Sequence, residues 1–130
     1  MTSTLFPDTI LNWIDGEQTG AIDAEVFDKR SPASGEILCR TARSREADIS
    51  RAVESAKNAY PAWAGLTPVQ RGDILMAVVR AMQEHREQMA GVVAAETGMA
   101  LTAARGETGG AIAQGEFMAG EGRRLYGRTT

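Results

Sequence analysis

The sequence predicts an α+β fold in which a few short β-strands precede about four α-helices. Asp15-Gly16 stands between short strand-like flanks, which is a strong signal for a β-hairpin. Further along, apolar residues recur at helical spacing from Ile49 to Trp63. The segment Thr67-Pro68-Val69-Gln70 then has the residues of a helix start, with threonine at N-cap, proline at N1 and glutamine at N3.

Strands are predicted near residues 11–19, 24–30 and 36–42. The first range contains the hairpin, and the other two flank "SPASG" at residues 31–35. That segment is a turn by composition, because proline fixes φ and glycine can take a positive φ. The chain is thus divided into an N-terminal tail (1–10), a hairpin and strand segment (11–43) and a helical segment (44–130), which together form one partial N-terminal domain.

The first helix is predicted over residues 44–60, with Ser44 as its N-cap and acidic residues in its first turn. Pro61 disfavours helical geometry at Tyr60, so the regular helix is expected to end near residue 59. Its apolar stripe consists of Ile49, Ala52, Val53, Ala56, Ala59, Tyr60 and Trp63.

The second helix is predicted over residues 68–84 and the third over residues 86–97, with Gly98 as the C′ residue of the third. The expected buried stripe of the second helix is Ile74, Leu75, Val78, Val79 and Met82. The last third of the chain has a helical pattern too, but it is rich in glycine. Each glycine costs about 1 kcal/mol relative to alanine in a helix interior, so this helix must pack closely on a neighbour or fray.

Composition and charge exclude several function classes. The net charge of −3 comes from 14 basic and 17 acidic residues, which argues against a nucleic-acid or membrane surface. The start, "MTSTLFPDTI", lacks the pattern of a signal peptide, so we expect a cytoplasmic protein. Much of the 43% apolar content is alanine, and we therefore expect an incomplete domain whose core continues in sequence outside this chain.

No group of residues in the sequence supports catalysis. Cys39, the only cysteine, is predicted to lie mid-strand, with no helix N-terminus or base beside it apart from Arg40. We predict that it is a small structural hydrophobe. His85 lies in a charged stretch and is predicted to be solvated. "GETGGAIAQG" lacks the spacing of a phosphate-binding loop, and the basic end with Arg123, Arg124 and Arg128 is predicted to be a solvated helix terminus.

Several motifs together resemble the N-terminal portion of the aldehyde dehydrogenase superfamily. "NWIDGEQ" resembles the opening strand–turn–strand of that family, and "SPASGEIL" resembles its Asn-Pro-Ala-Thr-Gly-Glu turn, with Ser31 in place of asparagine. Residues 47–98 are similar to the first three helices of the family, and "FMAGEGRRLYGRTT" resembles the segment that leads toward the bridging region of the family. The resemblance covers roughly residues 11–130.

The resemblance implies an incomplete piece of an α/β cofactor-binding domain. Members of the family use a cysteine nucleophile, and NAD or NADP is implied for the parent enzyme. The sequence stops before the parallel-sheet part of the cofactor domain and before the catalytic residues of the family, so we predict no catalytic, cofactor-binding or metal-binding residue here. The resemblance of "EFMAGEGRRLYG" to bacterial members suggests a semialdehyde as the substrate of the parent.

Glu96 aligns with a position that helps to hold a monovalent cation in some family members, together with backbone near Lys29 and Arg30. The favoured alternative is a charge in the last helical turn, because one oxygen ligand does not make a site.

Two hypotheses about function follow. The chain is either the N-terminal fragment of an aldehyde dehydrogenase, inactive alone, or a stand-alone, non-catalytic helical interaction module. The expected partner is the remainder of the parent polypeptide or a second copy of the chain, giving a homo-oligomer, with no nucleic-acid or membrane partner.

Overall fold

The structure, a computed structural model, describes residues 5–127. The chain divides into two compact units. The first contains the described residues up to Pro61 together with Ala95–Gly98, and the second contains Ala62–Ala94 and the described residues from Met99 onward. The predicted fold class, short strands followed by four helices, is confirmed.

Within the described part of the first unit, five short strands form two small sheets. The first sheet has the order β1-β5-β4, formed by β1 (Thr9–Ile10), β4 (Val26–Arg30) and β5 (Ile37–Ala42). In this sheet β5 pairs parallel with β1 and antiparallel with β4. The second sheet is the predicted hairpin, formed by β2 (Asn12–Ile14) and β3 (Glu17–Thr19).

Both predicted turns are confirmed. Asp15 and Gly16 have φ values of 58° and 76°, and positive φ at both central residues is the geometry that the hairpin signal requires. In the second turn Gly35 has a φ of 76°, and its N–H donates to the carbonyl oxygen of Ser31 at 2.8 Å. Ser31 in turn donates its N–H to the carbonyl oxygen of Glu36 at 2.8 Å.

Strand β1 was not predicted, and it lies in the segment interpreted as an N-terminal tail. Thr9 pairs with Arg40, and Ile10 pairs with Thr41. Two residues are too few to show the alternation that identifies a strand in sequence. The pairing depends on β5, which is distant in sequence.

Helix α1 spans Glu46–Ala64, so the predicted end near residue 59 is wrong. The helix continues through Pro61, which fixes φ near the helical value and removes only one N–H donor. The carbonyl that loses this donor belongs to Lys57, which is exposed, so water can replace the missing hydrogen bond. The cost of the proline is therefore local.

Helices α2 and α3 begin and end as predicted, at Pro68–Glu84 and Arg86–Thr97. The capping box at the start of α2 is complete. Thr67 Oγ1 accepts the N–H of Gln70 at 3.3 Å, and Gln70 Oε1 accepts the N–H of Thr67 at 2.9 Å. Gly98 follows α3 with a φ of 75°, as expected for a C′ glycine.

Helix α4 spans Leu101–Gly120, continues into a 3-10 turn over Glu121–Arg123, and packs against α2 in the second unit. The glycines on both sides of this contact allow the close approach that the sequence predicted. A Cβ atom added to Gly72 would lie 2.6 Å from the carbonyl oxygen of Ala119, and one added to Gly115 would lie 2.8 Å from Val79 Cγ2.

The cores of the two units are built mainly from small side chains, and the predicted burial of the α2 stripe is largely wrong. Of the predicted α2 stripe only Val79 is buried, whereas Ile74, Leu75 and Val78 are 44–53% exposed. On α1 both Ile49 and Val53 are exposed. The physical reason is that α4 packs on the side of α2 that carries Gly72 and Val79, so the wider stripe stays exposed. The buried apolar residues are Ile14, Ala21, Cys39 and Ala42 in the first unit, and Val79, Ala90, Ala104, Ile112 and Ala119 in the second.

Candidate functional site

Cys39 lies in the middle of β5, opposite Lys29 of β4, as the sequence predicted. Its side chain is only 5% exposed, and the sulfur is a free thiol. A nucleophilic cysteine needs access to its substrate and an activating neighbour. A thiol buried in a paired strand lacks that access, so the structure places Cys39 with the core residues.

The other two candidates for chemistry also lie in ordinary structural positions. His85 is the exposed C-cap of α2, and its N–H donates to the carbonyl oxygen of Ala81 at 3.1 Å. The glycine-rich segment 106–115 lies inside α4, where backbone N–H groups are used within the helix. It therefore cannot form a phosphate-binding loop.

Asp48 is a residue whose importance the sequence analysis missed. It is 3% exposed and joins two parts of the first unit. Its Oδ1 accepts the N–H of Ile22 at 2.9 Å, and its Oδ2 accepts the N–H of Arg45 at 2.9 Å. One buried carboxylate thus holds the start of α1 to the loop after β3.

This arrangement corrects the predicted N-cap. Arg45, not Ser44, precedes the helix and accepts the first helical hydrogen bond, from the N–H of Ile49 at 3.1 Å. Ser44 instead donates its hydroxyl to Asn12 Oδ1 at 2.9 Å. The signal in the sequence was an acidic residue three positions after the true N-cap, which is half of a capping box.

Arg45 also links two exposed carboxylates near the start of α1. Its guanidinium lies 3.3 Å from Asp23 Oδ2 and forms a second ion pair with Glu25. Asp23 Oδ1 accepts the N–H of Glu25 at 3.0 Å, and this hydrogen bond, together with the guanidinium, lowers the pKa of the Asp23 carboxyl from its usual value. The two carboxylates raise the pKa of Arg45 in turn.

The α1 N-terminus does not fit a dinucleotide phosphate. A nicotinamide dinucleotide binds where parallel strands end and a helix N-terminus faces its phosphates. Within residues 5–127 the parallel pairing is β1–β5, two residues long, and α1 follows β5 through a connection without glycine. The Asp48 carboxylate already lies at this helix end and would repel a phosphate.

Glu96 lies in the last turn of α3, beside β4. Its Oε1 is 2.8 Å from Nζ of Lys29, and both side chains are about one-third exposed. The guanidinium of Arg30 is directed elsewhere, toward Asp28 at 2.8 Å and the carbonyl oxygen of Gly35 at 3.3 Å. Among residues 5–127 no three His, Cys, Asp or Glu side chains are grouped so that they could hold a metal ion.

The second unit has a shallow apolar groove of about 180 Å³. Arg71, on its wall, donates from Nη1 to the carbonyl oxygen of Leu66 at 2.7 Å. The groove is lined by Trp63, Pro68, Arg71, Gly72, Leu75, Met118, Glu121, Gly122 and Leu125. A surface with this composition suits contact with polypeptide more than chemistry on a polar substrate.

The basic residues near the end of the chain are paired. Arg123 Nη2 lies 2.9 Å from Asp73 Oδ1, and Arg124 Nη2 lies 2.6 Å from Glu121 Oε1. Arg124 also donates to the carbonyl oxygen of Phe117, near the end of α4, as a cation at a helix C-terminus is expected to do. Arg128 lies outside the described residues. No helix in the described part of the chain is long and apolar enough to cross a membrane.

The chain is similar in sequence to known aldehyde dehydrogenases. The model of the aldehyde dehydrogenase family matches residues 18–130. Malonate-semialdehyde dehydrogenase 1 of Bacillus licheniformis is 36% identical over 98 residues, which are 75% of this chain and 20% of that protein. The NADP(+) succinate-semialdehyde dehydrogenase of Escherichia coli K12 is 35% identical over 116 residues, 89% of this chain and 24% of that protein.

The fold agrees with the sequence match. The crystal structure of an NADP dependent enzyme of E. coli superposes with a TM-score of 0.88 at 34% identity, covering 98% of this chain and 26% of that one. The chain therefore spans about a quarter or less of the length of the relatives that it matches. A family model that accounts for residues 18–130, together with this agreement in fold, shows that the chain belongs to the aldehyde dehydrogenase family.

Proposed function

We propose that this chain is the N-terminal segment of an NAD(P)-dependent aldehyde dehydrogenase of the cytoplasm, and that it has no dehydrogenase activity by itself. The observation that supports this most is the exposure of the apolar stripes on α1 and α2. The fold is that of the family, yet the chain covers only 26% of the solved relative. The remaining polypeptide of such an enzyme would supply the missing cover for these stripes.

The substrate proposed for the parent enzyme is a semialdehyde. The two relatives with the highest identities given above are named for malonate semialdehyde and succinate semialdehyde. In such an enzyme a thiolate adds to the aldehyde carbon, and the nicotinamide cofactor accepts the hydride. NAD or NADP is proposed for the parent, and NADP appears in the names of two of these relatives.

The proposed inactivity of the chain alone rests on its own residues. The one thiol is 5% exposed in β5, and the helix end nearest to that strand in sequence holds the Asp48 carboxylate. Acyl transfer needs an accessible thiolate beside the cofactor, with oxyanion donors close by. A thiol that is 5% exposed in a paired strand does not meet the first of these requirements.

The proposed partner is the rest of the parent polypeptide, with a second copy of the chain as substitute when the rest is missing. Exposed apolar patches of several side chains tend to become interfaces. A homo-oligomer is therefore proposed for the chain in isolation. The mixed surface charge favours neither a nucleic acid nor a membrane as partner.

The direct test is calorimetric titration of the purified 130-residue chain with NAD and NADP, followed by an assay with malonate and succinate semialdehydes. We expect no saturable cofactor binding and no turnover. A Cys39→Ser variant is expected to change stability only, by at most about 1–2 kcal/mol. Micromolar cofactor binding, or turnover that Cys39→Ser abolishes, would overturn the proposal.

A chimera separates this proposal from the alternative of a stand-alone interaction module. In the chimera, residues of this chain replace the matched segment of the E. coli succinate-semialdehyde dehydrogenase. We expect oxidation of succinate semialdehyde to be retained, and to be lost when Val78→Lys is added on the exposed face of α2. A chimera that folds but is inactive even without Val78→Lys would favour the interaction module.

A further inference from the structure

Lys29 and Glu96 form the ion pair that links β4 to the end of α3. The Lys29 ammonium lies 2.8 Å from Glu96 Oε1, and the two side chains are 31% and 35% exposed. Glu96 is the last residue but one of the helix. The pair thus lies at a helix C-terminus and is partly shielded from solvent.

This helix end favours a cation for two separate reasons. The carbonyl groups at a helix C-terminus carry a partial negative charge. Glu96 adds a full negative charge in the same turn, and α3 has no basic residue of its own in that turn. A positive charge from outside the helix therefore relieves an unfavourable concentration of negative charge.

We propose that the Lys29 ammonium takes the place of a monovalent metal cation at this helix end, so that the first unit requires neither Na⁺ nor K⁺ there. The sequence resemblance suggested a cation beside Glu96, with backbone near Lys29 and Arg30 as further ligands. The side chains do not fit a bound metal cation, and the favoured alternative was a charge in the last helical turn. The carboxylate is already paired at 2.8 Å, and a metal ion beside it would be repelled by the ammonium.

The packing around the pair positions the lysine without help from an ion. Gly98, just after α3, lies so close to the turn following β4 that an added Cβ would be 3.3 Å from Pro32 Cγ. The turn itself is closed by the backbone hydrogen bond from Gly35 to Ser31. Because β4 leads directly into this turn, Lys29 is held within reach of Glu96.

The test compares thermal melting of the 130-residue chain in sodium, potassium and choline chlorides, at one ionic strength of about 0.5 M so that screening is equal. Choline supplies the same ionic strength with a bulky organic cation in place of the metal ion. For the wild-type chain we expect the same Tm in all three salts, within about 1 °C. The Lys29→Met variant, which keeps an unbranched apolar stem, should become sensitive to the cation.

The size of that effect follows from mass action. A vacated site with a dissociation constant of about 0.1 M would shift the folding equilibrium about sixfold in 0.5 M NaCl or KCl relative to choline. In a protein of this size such a shift corresponds to several degrees in Tm. The double variant Lys29→Met with Glu96→Gln should lose this cation dependence again.

Two further variants serve as controls. Arg105→Met removes a cation from another exposed pair, in which Arg105 Nη2 lies 2.9 Å from Glu87 Oε2, and it reports the general effect of each salt. Lys29→Arg keeps the charge, should stay insensitive to the cation, and keeps the test valid if Lys29→Met fails to fold. A wild-type or Lys29→Arg chain stabilised by Na⁺ or K⁺ over choline, or a folded Lys29→Met chain that stays insensitive, overturns the proposal.

Discussion

In the first unit a buried carboxylate holds the start of α1 to the loop after β3, whereas in the second unit α4 approaches α2 through residues that lack side chains. Asp48 makes its joint with two hydrogen bonds to backbone N–H groups. Gly72 makes its contact by leaving room for the backbone of Ala119. Removal of a polar group at Asp48 should therefore destabilise the first contact, and added side-chain volume at Gly72 should destabilise the second.

Removal of the Asp48 carboxylate should have the largest effect on stability. Asp48→Ala leaves the N–H groups of Ile22 and Arg45 without their acceptor in a site where Asp48 is 3% exposed. We expect the free energy of unfolding to fall by about 3 kcal/mol, because two part-buried hydrogen bonds to a charged group are lost, each worth about 1.5–3 kcal/mol. Urea denaturation followed by circular dichroism measures this loss.

The matched control for this change is Glu46→Ala in the same first turn. Glu46 is exposed, so its removal should cost only its interaction with the helix dipole, about 0.5 kcal/mol. Equal losses for the two variants would show that Asp48 acts only as a charge at the helix start. In that case the hydrogen bonds from Ile22 and Arg45 to Asp48 would contribute little to stability.

Addition of one methyl group at Gly72 should have the next largest effect. The new Cβ would lie 2.6 Å from the carbonyl oxygen of Ala119, so Gly72→Ala must push α2 and the end of α4 apart. We expect a loss of about 2 kcal/mol in the free energy of unfolding, within the range measured for overpacked cores. The same urea denaturation experiment applies.

Gly106→Ala is the control for helix propensity, because nothing lies within 4 Å of its added Cβ. Alanine favours a helix over glycine, so this variant should gain about 0.5–1 kcal/mol. The two substitutions are chemically identical and are expected to have opposite signs. A stabilising Gly72→Ala would contradict the close contact between α2 and α4.

The smallest expected effect is the dependence of stability on pH that arises from Asp23, which is paired with Arg45. The folded-state pKa of Asp23 is lowered, first by the N–H of Glu25 and then by Arg45. The unfolded chain therefore binds more protons near the ordinary aspartate pKa, and stability rises with pH there. The stabilisation by the Asp23 carboxylate is present above the pKa of Asp23 in the unfolded chain, and it is lost as the pH falls through the pKa of Asp23 in the folded chain.

Melting curves of the Asp23→Asn variant at acidic pH check this sign. The variant should lose a small part of its stability at neutral pH and match the wild type at the lowest pH. Glu17→Gln, on the exposed hairpin, controls for the loss of one negative charge. A wild-type advantage that grows as the pH falls would contradict the lowered pKa.

Local signals in the sequence predicted much of the fold. Asp15-Gly16 fixed the hairpin, and Thr67 with Gln70 fixed the start of α2, because each signal depends on residues within a few positions. The start of α1 could not be settled this way. Ser44 and Arg45 both precede acidic residues, and the choice depends on distant groups, the N–H of Ile22 and the side chain of Asn12.

Burial and the cation position were harder to predict, for a related reason. An amphipathic pattern shows which face of α2 is apolar but not whether another element covers it, and Val78 is 53% exposed as a result. For Glu96 the resemblance pointed to the backbone near Lys29 as a cation ligand and did not indicate the Lys29 side chain. A lysine side chain is long enough to reach across to a neighbouring element, and no spacing rule reports such a contact.

Light scattering on a concentration series of the purified chain tests the central proposal, that the exposed stripes of α1 and α2 form an interface with further polypeptide. We predict a molar mass above the 13.9 kDa of one chain that rises with concentration. A variant with Ile49→Lys and Val78→Lys, which places charges on both stripes, should shift the mass back toward one chain. A wild-type chain that stays at 13.9 kDa at every concentration and melts cooperatively would contradict the claim.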